Sequence, residues 1–169
     1  MTSLSQLDVR VAQAGATLAP KAGSVLMLRL DRAFRCIGQA HFLDRFWTTW
    51  GSTIYYPTSV EDPWAHPSII AHELVHVAQW RRWGPLFLPA YALLPLPAGL
   101  AYCRWHFERE AYRVDLAHAP DPALAATQIA DKLWREYAYP WPRPLMRRWL
   151  VREASTMAHA HTTVREKSP

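Results

Sequence analysis

Two histidines one helical turn apart, with a glutamate beside the first, are the residues in this sequence best suited to chemistry. They are His72, Glu73 and His76 in the segment His-Glu-Leu-Val-His. Residues four apart on an α-helix lie on the same face, so both imidazoles could bind one divalent cation from the same side. Glu73 could then act on a water molecule at that ion. The spacing predicts metal-assisted hydrolysis, provided that the segment is helical.

The residues around this motif favour a helix. Pro67 and Ser68 are typical of a helix start, and no helix breaker follows until Gly84-Pro85, a strong stop signal. Apolar residues recur at helical spacing and predict a side that faces the core: Ile70, Leu74, Val77 and Ala78. We therefore predict a helix over residues 67–83. Two histidines in an arbitrary sequence would more simply pack or be solvated, but these signals and the intact Glu73 argue against that interpretation.

A catalytic zinc site needs a third protein ligand and an open position for water. The extended pattern H-E-x-x-H-x-x-G-x-x-H is absent, because Gln79 and Arg82 stand at its Gly and last His positions. A carboxylate from a later helix is the other common solution, and the segment Phe107–Ala111 offers Glu108 and Glu110. These two positions lie about 200° apart around a helix, so both cannot face one ion. Both could instead lie on a solvated face, paired with nearby arginines.

The motif continued to Gln79 and the segment Phe107-Glu-Arg-Glu-Ala111 together resemble the gluzincin metallopeptidases. They are most similar to the short single-domain minigluzincins and to related bacterial H-E-x-x-H-x-x-Q proteins. The resemblance covers about residues 50–115, well under half of the chain. It implies a zincin-like minimal catalytic domain, Zn²⁺ as the cofactor, and a third ligand at the Glu directly before Ala, which is Glu110. Glu108 is the competing ligand.

The resemblance also implies the reaction, which is hydrolysis of peptide bonds in a peptide or protein substrate. Glu73 would be the general base that takes a proton from water and passes it to the leaving amine. A hydrogen-bond donor must stabilise the oxyanion. Tyr112 and His106 rank first for this catalytic role, ahead of Tyr102 and His118.

A second function remains open. Tyr112 stands where the family usually has an Asp that braces a ligand histidine through a hydrogen bond, although Asp115 could take that role. The alternative is a catalytically inactive zinc-binding module of peptidase ancestry that serves regulation or interaction. A membrane-surface contact through the apolar residues 86–103 is a less favoured variant of either function. Three prolines interrupt that stretch and argue against a single spanning helix.

Composition sets the remaining limits. The chain has 169 residues, half of them hydrophobic and a fifth charged, which fits one domain with a hydrophobic core. The net charge is +5, but the basic residues are scattered and no nucleic-acid-binding motif occurs. We therefore expect no nucleic-acid partner. The N-terminus does not have the pattern of a signal peptide, so we expect a cytoplasmic protein. The oligomeric state is not predictable from these residues.

The elements predict an α+β fold that is mostly helical, with a small sheet and an active-site helix. Residues 51–57 are β-branched and aromatic between Gly and Pro, which predicts a strand. In a zincin this could be the edge strand that pairs with extended substrate, or it could be an ordinary sheet strand. Helices are also predicted over residues 33–48, 104–118, 121–139 and 145–157. Residues 1–23 are predicted to be a loosely ordered lead-in, 24–157 the metallopeptidase domain and 158–169 a flexible tail.

Overall fold

The computed structural model of the protein describes residues 4–36, 38–92, 102–136 and 143–166. The elements are mostly helices, with one small sheet of three strands, which confirms the α+β, mainly helical class. The chain divides into two compact units, Met1–Gly84 and Pro85–Pro169. Within the described ranges, none of the helices combines the length and apolarity that crossing a membrane requires.

The first unit packs a sheet against the helix that carries the motif. Its elements in chain order are α1 (Leu4–Gln13), β1 (Thr17–Pro20), α2 (Val25–Cys36), α3 (Phe42–Arg45), β2 (Thr48–Trp50), β3 (Thr53–Tyr56) and α4 (Pro67–Trp83). Strand β3 is central: β1 pairs with it in parallel and β2 pairs with it antiparallel. Ile54 of β3 is buried in one cluster with Ile70 and Val77 of α4. The sheet therefore fixes the position of the motif helix.

Helix α4 has the bounds that its sequence predicts. Pro67 occupies the first turn, where its missing N–H costs nothing. The helix ends at Gly84, which has φ 55° and donates its N–H to the Trp80 carbonyl. Glycine tolerates this left-handed conformation without steric cost, so the chain can leave the helix there. On the predicted core side, Ile70 and Val77 are buried, while Ala78 is exposed.

The elements of the first unit match some sequence expectations and not others. Part of the segment expected to be a loosely ordered lead-in forms α1 and β1, and Leu7 and Val11 of α1, one helical turn apart, are buried in one cluster with Ile54 of β3. The helix expected over residues 33–48 does not exist as one element: α2 ends at Cys36, and Gly38 has φ 85°. The strand predicted over residues 51–57 is confirmed as β3. It is the central strand of the sheet, with β1 and β2 at the two edges, so of the two roles left open it has that of an ordinary sheet strand.

The second unit is helical where it is described. Its elements are α5 (Phe87–Ala92), α6 (Tyr102–His118), α7 (Pro122–Glu136) and α8 (Arg143–Glu166). Asp121 caps α7, and its Oδ1 accepts the N–H groups of Ala123 and Leu124, each at 3.0 Å. Helix α8 continues beyond Met157 into the segment expected to be a flexible tail.

Parts of two sequence predictions lie outside the described residues. One part is residues 93–101 of the apolar stretch 86–103. The other is residues 137–139, the end of the helix predicted over residues 121–139.

Candidate metal centre

The two histidines of the motif lie one turn apart on α4, as the spacing predicts. Their ring centroids are 5.1 Å apart with an interplanar angle of 71°. His72 is half-buried, and His76 is 6 % exposed. Glu73, the predicted general base, is 7 % exposed. The motif is therefore largely shielded from bulk water rather than spread on a solvated face.

Gln79 fixes the orientation of His76. Its Oε1 lies 2.8 Å from His76 Nδ1, and its side chain is fully buried. An amide oxygen can only accept, so Nδ1 carries the proton and donates it. The lone pair is then on Nε2, the nitrogen that a metal would bind. The sequence analysis treated Gln79 only as the residue that replaces a glycine. The i, i+3 spacing from His76 was the signal that could have revealed this contact.

Thr49, on the edge strand β2, holds Glu73. Its Oγ1 donates to Glu73 Oε2 at 2.6 Å and lies 3.4 Å from the Glu73 backbone carbonyl. This charge-assisted hydrogen bond orients the carboxylate through Oε2, and Oε1 is the oxygen that Thr49 does not bind. The sequence analysis did not identify Thr49, because the contact joins two elements that only the fold brings together.

A buried lysine lies within electrostatic reach of Glu73. Lys21 has no exposed surface, its Nζ donates to the Phe42 carbonyl at 2.6 Å, and Nζ lies 3.6 Å from the centroid of the Phe42 ring. Burial lowers the pKa of Lys21 to about 7, although Glu73, Asp31 and Asp44 act in the opposite direction. Lys21 falls in the segment expected to be loosely ordered and was not identified from sequence.

Glu108 of α6 is a buried carboxylate with defined partners. It is 3 % exposed and accepts a hydrogen bond from the Tyr91 hydroxyl. Arg104 Nε lies 3.9 Å from Glu108 Oε1, and the Arg104 guanidinium carbon lies 5.1 Å from the centroid of the Tyr91 ring. These contacts hold the carboxylate in one orientation. Tyr91 was overlooked because its surroundings have the composition of an apolar linker.

Three side chains of ligand-forming types stand out among the described residues. His72, His76 and Glu108 make up a His-His-Glu set that could hold a metal ion. Two imidazoles and one carboxylate are a donor set that Zn²⁺ accepts, with a fourth position for water. Among the described residues Glu110 does not belong to this set and is half-buried. Its assignment as the third ligand stays a prediction.

The candidates for the oxyanion donor have different surroundings. Tyr112 is 7 % exposed and packs in a hydrophobic cluster with Trp105 and Leu116. His106 is half-buried, and its pKa is lowered. Burial is the larger cause and the Arg109 guanidinium the second, while Glu110 acts in the opposite direction. The catalytic roles of Tyr112 and His106 remain predictions.

The two lower-ranked candidates for the oxyanion donor are His118 and Tyr102. His118 is exposed, and its Nδ1 lies 2.7 Å from the Val114 carbonyl oxygen, to which it donates. The side chain of Tyr102 lies outside the described atoms.

Comparisons with protein-family models, with curated proteins and with solved structures found no match for this chain. The resemblance to gluzincins is therefore carried by the motif residues alone.

Proposed function

We propose that this protein is a zinc-dependent metallopeptidase that hydrolyses peptide bonds in peptides or proteins. The observation that carries the proposal is the pair of hydrogen bonds within the first unit. Gln79 sets the tautomer of His76 at 2.8 Å, and Thr49 orients Glu73 at 2.6 Å. One bond suits a metal ligand and the other suits a general base, and chance packing of two histidines explains neither.

His72, His76 and Glu108 would hold the zinc ion. Glu108 is favoured over Glu110 because its side chain is buried and held by Tyr91, whereas Glu110 is only half-buried. A bound zinc ion lowers the pKa of a water ligand towards ~7 and polarises a carbonyl group.

Glu73 would take the proton from the attacking water and later deliver it to the leaving amine. Thr49 occupies Oε2, so the transfer is directed to Oε1. Burial of Glu73 excludes competing water from this oxygen and strengthens its interactions with the reacting groups.

The substrate would bind in extended form along β2. This strand lies at an edge of the sheet, so its outer N–H and C=O groups can pair with another extended chain. Thr49, in the middle of β2, is bonded to Glu73, so a paired peptide would lie beside the strand that orients the general base.

The decisive experiment combines zinc analysis with a cleavage assay. Purified protein should contain about one zinc per chain and cleave a library of quenched fluorescent peptides. Glu73→Gln should keep the zinc and abolish cleavage, because the amide cannot accept the proton. Glu61→Gln, which changes an exposed carboxylate in the same unit, should change neither. Absence of zinc from the wild-type protein, or cleavage by Glu73→Gln, would refute the proposal.

A zinc-binding module without peptidase activity is the second candidate. It is favoured by the burial of Tyr112, the first-ranked oxyanion donor, in a hydrophobic cluster with Trp105. A side chain packed in this way has little surface to offer a substrate. This candidate predicts bound zinc without turnover of any peptide in the library.

A further inference from the structure

The solvent-facing side of α8 carries three arginines within two helical turns. Arg147, Arg148 and Arg152 are all exposed, and among the described residues no carboxylate lies within ion-pair distance of any of them. Glu153 of the same helix is paired with Arg113, from which its carboxylate accepts two hydrogen bonds, at 3.0 and 3.1 Å. The positive charge on this side of the helix is therefore not neutralised by its described neighbours.

Large apolar side chains lie among these arginines. Leu145 is 47 % exposed and Val151 is 43 % exposed, whereas Met146 and Leu150 are buried and attach α8 to the second unit. At ~100° per residue, Leu145, Arg148, Val151 and Arg152 fall within an arc of about 120°. We call these residues, together with Arg147, the outer face of α8.

We propose that the outer face of α8 binds the surface of a membrane that contains anionic phospholipids. Guanidinium groups donate paired hydrogen bonds to phosphate oxygens and are attracted to a negatively charged bilayer surface. Leucine and valine side chains gain by entering the region between headgroups and acyl chains. The helix would lie along the surface, with its buried stripe still packed on the unit. This inference is independent of the proposed peptidase activity.

The apolar residues favour a membrane over a nucleic acid. A phosphodiester backbone would also attract the three arginines, but it would offer Leu145 and Val151 no apolar environment. An interfacial helix gains from both classes of side chain at once. Alternation of arginine with exposed leucine and valine is therefore explained by one ligand, a lipid surface with phosphate-bearing headgroups.

The test is co-sedimentation of the full chain with vesicles. Binding is expected to phosphatidylcholine vesicles that contain phosphatidylserine, with weaker binding as salt screens the charges. The triple variant Arg147→Gln, Arg148→Gln, Arg152→Gln should bind these vesicles about 100-fold more weakly, because each arginine contributes roughly a fivefold increase in affinity. Leu145→Ser with Val151→Ser keeps the net charge and should weaken binding by about tenfold.

Matched controls make the test specific. The triple variant Arg10→Gln, Arg29→Gln, Arg32→Gln removes the same charge from exposed positions of the first unit and should bind like the wild type. All variants change exposed residues, and unchanged melting temperatures would confirm that they fold. The proposal is overturned if the wild type does not bind the vesicles, or if the two triple variants lose vesicle affinity equally. It is also overturned if the serine variant binds the vesicles as tightly as the wild type, or if the wild type binds duplex DNA more tightly than the vesicles.

Discussion

Gln79 Oε1 lies 2.8 Å from His76 Nδ1, and this contact determines which nitrogen of the histidine can bind a metal. The donor must be His76, because the amide oxygen has no proton to give. The partner is fully buried, so water does not compete for the bond. A partner of this kind raises the basicity of the opposite ring nitrogen and keeps the ring in place.

Replacement of Gln79 by Met should weaken metal binding while preserving side-chain volume. Loss of the acceptor allows the other tautomer and a rotated ring, so zinc affinity should fall about 10- to 100-fold. Gln79→Glu keeps an acceptor at this position and should retain most of the affinity. Competition with a chromophoric chelator would measure both. Gln128→Met, an exposed glutamine on α7, is the control, and equal affinities in all variants would contradict the role given to Gln79.

Thr49→Val should reduce the rate of cleavage without reducing zinc content. The substitution keeps the shape of the side chain but removes the hydroxyl that donates to Glu73 at 2.6 Å. A hydrogen bond to a charged group contributes about 1.5–3 kcal/mol, so kcat/KM should fall about 10- to 100-fold. Thr49→Ser should restore most of the rate.

The control for this substitution lies on the same strand. Thr48 precedes Thr49 on β2, and successive side chains of a strand point to opposite faces. Thr48→Val should therefore leave kcat/KM close to that of the wild type. If Thr48→Val and Thr49→Val lower kcat/KM equally, the loss is caused by a less stable strand and not by the missing hydrogen bond to Glu73.

Paired substitutions on α6 should decide which carboxylate binds the metal. Glu108 belongs to the His-His-Glu set, whereas the family resemblance implies Glu110. We expect Glu108→Gln to lose zinc and Glu110→Gln to keep it, as measured by metal analysis after dialysis. Tyr91→Phe removes the hydroxyl that donates to Glu108 and should weaken zinc binding by about tenfold. Loss of zinc from Glu110→Gln alone would restore the assignment drawn from the resemblance.

Local signals explain why α4 was predictable and its partners were not. Pro67 and Gly84 mark the ends of the helix within the sequence itself, and the spacing of His72 and His76 needs only helical geometry. The Thr49–Glu73 bond joins residues 24 apart in the chain. Its existence depends on strand order, which no local pattern determines. The central position of β3 escaped prediction for the same reason, because its second partner, β1, comes from the supposed lead-in.

Lys21 is fully buried although it lies in the segment expected to be loosely ordered, and it should give stability a distinctive pH dependence. Burial lowers its pKa from the ordinary 10.5 to about 7, with Glu73, Asp31 and Asp44 opposing the shift. Between these two values the unfolded chain binds a proton that the folded protein does not. The free energy of unfolding should therefore rise with pH through this window. Below about pH 7 Lys21 is protonated in both states and contributes no slope.

Lys21→Met should remove this pH-dependent contribution. Methionine fits a buried site of similar length, although the Phe42 carbonyl loses the donor that lies 2.6 Å away. That loss lowers stability by an amount independent of pH, so the informative quantity is the difference between wild type and variant. Urea denaturation across the window should show this difference increasing in favour of the wild type as pH rises. Lys132→Met controls for removal of one exposed lysine. A wild-type–Lys21→Met difference that is constant with pH would show that Lys21 keeps its proton when folded.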